Sequence, residues 1–90
     1  MTQTMTQTRT LTATFPNGDQ VTRRTHRTYT HVVRAYCTGW RTDKPDTEFC
    51  FFEKWCGRFD LMQKQVRNAK NSGNKNLRIE TAEITNDPWA

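Results

Sequence analysis

The sequence predicts an α+β domain, a mostly antiparallel sheet with one helix packed across it in the order β-β-β-β-α-β. Three observations carry this. Threonine recurs at every even position from Thr2 to Thr14, a period of two in a β-branched residue and hence a strand pattern. Phe15-Pro16-Asn17-Gly18-Asp19 has the chemistry of a hairpin turn. Finally, only the stretch from Asp60 places apolar residues at helical spacing, with Met62, Val66 and Ala69 as its stripe.

Each element follows from local chemistry. In the first strand the odd positions run Met1, Gln3, Met5, Gln7, Arg9, Leu11, Ala13, Phe15, so only the last three offer an apolar face. Order is expected from about residue 8, which gives a flexible tail over 1–7, one domain over 8–86 and a C-terminal tail over 87–90. In the turn, Pro16 sets φ early and Gly18 takes the left-handed position that forms a bulge. The returning strand, 20–25, puts Val21 and Arg23 on one face and Thr22 and Arg24 on the other, a polar pattern suited to a sheet edge.

A third strand spans Tyr29 to Trp40 and a fourth spans Glu48 to Trp55. With residue numbers summing to 87 across the pair, Arg34 faces Glu53, Val32 faces Trp55, Tyr36 faces Phe51 and Cys37 faces Cys50. Both faces of this pair are then partly apolar, and one helix covers only one of them. The other is left for the N-terminal hairpin, a second copy or a target, and a homodimer with Trp40 or Trp55 at its interface is expected. The helix is expected to start with Asp60 as N-cap and Gln63 as its capping-box partner, and to stop at Asn71-Ser72-Gly73-Asn74. The last strand, Leu77 to Ile84, alternates through Leu77 and Ile79 and then slips phase to Ala82 and Ile84, which suggests a bulge or a strand leaving the sheet.

Composition sets the function classes. Leu, Ile, Val and Phe number only fourteen in 90 residues, but ten aromatics supply much of the missing apolar area. Residues 1–45 hold seven Lys and Arg against two Asp, whereas 46–90 hold seven of each sign. Between Asp19 and Asp43 no acid occurs, so the positive field centres there and an acidic partner is expected. Three cysteines, Cys37, Cys50 and Cys56, contain no C-x-x-C pair. Cys50 and Cys56 on one strand lie roughly 20 Å apart, too far to share an ion. No metal site or cofactor is expected, and no apolar run approaches a membrane span. A cytoplasmic location in a host cell is the corresponding expectation.

Neither G-x-G-x-x-G nor G-x-x-x-x-G-K-[ST] occurs. His26 and His31 belong to no catalytic signature, and Glu80 and Glu83 fall on opposite faces of one strand. A binding protein without catalytic residues is therefore expected. Arginine with aromatics suits both protein hot spots and nucleic-acid platforms. The residues expected to contact the partner are Arg23, Arg24, Arg27, Tyr29, Arg34, Tyr36, Trp40 and Arg41.

Three segments carry a resemblance: Thr14-Phe15-Pro16-Asn17-Gly18, Arg27-Thr28-Tyr29-Thr30-His31-Val32-Val33 and Trp55-Cys56-Gly57-Arg58-Phe59-Asp60-Leu61. Their order resembles small accessory proteins of actinobacterial phages and plasmids, over about 25 positions. The resemblance implies no cofactor or site. It implies a class of function, an inhibitor of a host nucleoprotein or nuclease complex of the anti-CRISPR or anti-restriction type. The alternative is sequence-tolerant binding of nucleic acid by a basic aromatic sheet.

Overall fold

The computed structural model describes residues 7–39 and 43–89. Trp40 and Arg41, two of the expected contact residues, lie outside the described residues, as do most of the Thr-rich opening and the expected tail. The elements are β1 (Arg9–Thr14), β2 (Gln20–Thr25), β3 (His31–Thr38), β4 (Phe49–Cys56), α1 (Phe59–Lys70) and β5 (Lys75–Asn86). All neighbouring strands are antiparallel and the sheet order is β2-β1-β5-β3-β4. The fold is α+β with one helix on a curled five-stranded sheet. No helix among the described residues is long and apolar enough to cross a membrane.

The β1–β2 hairpin closes as its residues require. Gly18 N–H donates to the Phe15 carbonyl at 2.9 Å, Phe15 N–H donates to the Asp19 carbonyl at 2.8 Å, and Gly18 has φ +93°. A side chain at Gly18 would meet no neighbour, so backbone conformation alone selects glycine there. Gly57 is constrained differently. A Cβ on it would lie 3.2 Å from the Thr28 carbonyl, so glycine lets the chain turn tightly from β4 into α1.

Three sequence expectations are corrected. The β3–β4 register keeps Arg34 opposite Glu53 and Val32 opposite Trp55, but it shifts between Ala35 and Tyr36, so Cys50 faces Tyr36 and Phe49 faces Cys37. Phe51 is the extra residue of a bulge, and neither the Cys37–Cys50 nor the Tyr36–Phe51 pair forms. The helix N-cap is Arg58, in extended backbone and without a side-chain cap; Asp60 lies in the first turn, paired with Arg58 at 3.3 Å. The turn at Gly57 brings the chain into the helix early, and Asp60 there complements the helix dipole instead of capping. In β5 the register against β3 runs unbroken from Arg78 to Glu83, across the phase slip; the irregularities fall instead at the strand's two ends, against β3 between Tyr36 and Thr38 and against β1 at Thr85, the extra residue between Ile84 and Asn86. The slip marks a change in which face is covered.

That change is the organising feature of the core. On one face α1 packs through Met62, with Leu61 and Val66 beside it, over Val33, Cys56, Phe52 and Ile79 of the sheet. On the other, Ala13, Phe15, Val21, Val32 and Ala82 form a second cluster with Trp55 and Ile84. Val21 belongs to one edge strand and Trp55 to the other. The sheet therefore curls until its edges approach through side chains, and the hairpin covers the face that the helix leaves open. Much of the apolar surface for which a second copy was one expected cover is thus covered within the chain, with Trp55 and Ile84 left partly exposed.

Candidate binding surface

On the face away from α1, a row of alternating aromatic, basic and acidic side chains crosses the sheet. At one end the Arg23 guanidinium on β2 lies 5.1 Å from the Tyr29 ring centroid and 5.9 Å from that of Trp55, and the two rings meet edge to face at 5.8 Å. Trp55 Nε1 donates to Glu53 at 3.1 Å, and Arg34 Nε donates to the other Glu53 oxygen at 3.0 Å. Arg34 also reaches the Tyr36 hydroxyl at 3.5 Å and lies 5.0 Å from the Phe15 ring centroid. At the far end Arg78 stacks on Tyr36 at 4.1 Å and pairs with Glu48 at 3.1 Å and with Glu80.

The electrostatics of the row follow from these contacts. Burial pulls the Arg34 guanidinium down, but hydrogen bonds to Tyr36 and Glu53 outweigh it and hold it above the ordinary arginine value. Hydrogen bonding to Glu48 raises Arg78, and the same bond holds the Glu48 carboxyl below its usual range. Arg34 and Arg78 are thus committed to carboxylates. One Glu80 oxygen, Oε2, is buried without a hydrogen-bond partner among the described residues.

Arg23, Arg24 and Arg27 differ from them. All three are exposed and none makes an ion pair among the described residues. Arg24 leaves β2 on the other face and donates to Thr8 Oγ1 at 2.8 Å, while Arg27 follows β2 in the connection to β3. Of the expected contact residues, then, Arg23, Tyr29, Arg34 and Tyr36 share one row, and Arg24 and Arg27 lie outside it.

Sequence reasoning missed Arg78 and Glu48 as members of the row and expected Trp55 at a dimer interface; Arg78 joins only because β5 pairs with β3. The Cys37 and Cys56 thiols are buried, which raises both above the ordinary thiol value, and Cys50 is exposed. Among the described residues no three His, Cys, Asp or Glu side chains converge as metal ligands would.

Beside Tyr29 an open groove of about 570 Å³ runs between Thr28–His31 and Glu83–Asp87. His31 anchors its wall, with Nδ1 2.8 Å from Thr30 Oγ1, Nε2 3.8 Å from Glu83 and its ring edge-on to Phe59 at 5.8 Å. No protein-family model, curated protein or solved structure matches the chain.

Proposed function

We propose that the chain is a binding protein that lays its basic β2 edge on an acidic surface of a host protein or nucleoprotein complex, and that it inhibits a nuclease or similar machine by occupying it. The observation that carries this reading is the trio Arg23, Arg24 and Arg27, three exposed guanidiniums without carboxylate partners among the described residues, on and beside a strand at the sheet's edge. Such an edge supports recognition in two ways, by backbone pairing along β2 and by charge around it. Phage or mobile-element origin, the implication of the resemblance, supplies the kind of target. The experiment is affinity capture from host extract with the wild-type chain and with R23A/R24A/R27A. A host protein or complex enriched by the first and lost with the second is the expected result; equal recovery overturns the reading.

Direct binding to nucleic acid is the second reading, favoured by the same three cations. The aromatics do not add to it, because Arg23 already lies over Tyr29 and Arg78 over Tyr36, so a base would have to displace an arginine to stack. Contact would run through phosphate and weaken steeply with salt. Titration of labelled oligonucleotides at two salt concentrations separates the readings, since the protein-directed one expects no tight binding at either.

A further inference from the structure

We infer that the exposed shoulder of α1 is a second docking surface, which takes an acidic amphipathic segment of a partner protein. Phe59 opens the helix with 57% of its surface exposed, and its only ring contact among the described residues is the edge-on one to His31. Beside it lies a recess of about 310 Å³ lined by Phe59, Met62, Gln63, Val66 and Arg67. That volume is at the low end for ligand pockets and suits one or two apolar side chains. At 3.6 residues per turn, Lys70 falls in line with Phe59, Gln63 and Arg67 on this shoulder.

Charge selects the occupant. Lys64, Arg67 and Lys70 make no ion pair among the described residues, and the one acid of the helix, Asp60, is held by Arg58. From Lys54 to Lys75 the chain carries six cations against Asp60 alone. A partner segment with an apolar residue for the recess and carboxylates one helical turn away would meet both demands, in the manner of a helix laid in a groove. An anionic membrane is less suited. Met62 and Ala69, the centre of the apolar stripe, are buried against the sheet, so only Phe59 projects far enough to insert. The shoulder lies on the opposite face of the sheet from the aromatic row, so this site is independent of the β2 edge.

A displayed library of random 12-residue peptides, selected on the wild-type protein and counter-selected on F59S/R67E, tests the assignment. The expected result is an acidic consensus with an apolar residue spaced three or four positions from a carboxylate. The selected peptides should bind F59S and R67E/K70E at least tenfold more weakly, with R23A/R24A/R27A unchanged. All these positions are exposed, and circular dichroism of each variant confirms that it folds. No enrichment, a consensus without acids, full affinity for F59S, or an F59S-sensitive preference for phosphatidylglycerol vesicles over every selected peptide would each overturn it.

Discussion

Arg9 stands on the same face of β1 as Leu11 and Ala13, and its guanidinium is tolerated there because every direction is satisfied. Nε and Nη2 donate to the Asp87 carboxylate at 3.0 Å, Nη1 donates to the carbonyls of Thr25 and Arg27, and the Trp89 ring lies 4.2 Å away. Residues 87–90 read as a tail, yet Asp87 is tied into the sheet. The hydrogen bond from Arg9, reinforced by the Trp89 N–H, holds the Asp87 carboxyl below its usual range. A group whose folded value is depressed contributes stability above its unfolded value and loses it as pH falls through the folded one. Stability should therefore hold above about pH 5 and decline below about pH 4. In D87N, thermal melts from pH 7 to pH 2 should start lower and show a flatter acid limb; an unchanged limb would mean that other carboxylates set it. Thiol chemistry gives a second residue-scale prediction. One of the three cysteines, Cys50, should react quickly with a disulfide reagent in native buffer, and Cys37 and Cys56 only after denaturation. Two fast equivalents would contradict the burial of Cys37 or Cys56.

The helix and the hairpin show how far local chemistry carries. Hairpin, helix and element order were all legible, because turn residues and periodicity act within a few positions. The N-cap was not: Asp60 is a better capping residue than Arg58, and the chain enters the helix early only because Gly57 packs against the Thr28 carbonyl, a contact with a remote loop. Replacing Arg58 with Ser should accordingly stabilise the protein by about 1 kcal/mol, provided the new hydroxyl reaches the open N–H groups. Chemical denaturation measures this, and a loss of stability would show that the Arg58–Asp60 pair matters more than the cap. The bulge at Phe51 was illegible for another reason. In Phe49-Cys50-Phe51-Phe52 either alternation places an aromatic on each face, so the pattern offers no penalty for a one-residue slip. The same holds for the row at Tyr36: its Arg34–Glu53 half comes from strands adjacent in sequence, but its Arg78–Glu48 half needs β5 beside β3.

At the scale of the molecule, β5 decides the architecture. It runs between β1 and β3, with Ile79 in the helix-side cluster and Ala82 and Ile84 in the hairpin-side one. No sequence window spans such a choice, since β1 and β5 lie about seventy residues apart. Because the hairpin covers the second face, the chain should sediment at its monomer mass of 10.6 kDa at tens of micromolar; twice that mass would show that the remaining surface still recruits a copy. Phe15, 2% exposed, fills the space between the hairpin and the sheet. F15A should cost about 3–5 kcal/mol, read from urea denaturation, and a much smaller loss would mean that the two faces are not one cooperative unit. The Arg9–Asp87 pair has a further consequence, for connectivity. It brings the start of β1 beside the residue that follows β5, so a short linker could join them and new ends could be cut in the turn at 44–47, yielding a circular permutant. In that rewired chain the β1–β5 pairing becomes a local hairpin while β3 and β4, now at opposite ends, become the most distant pair, so the long-range step of folding moves from one side of the sheet to the other.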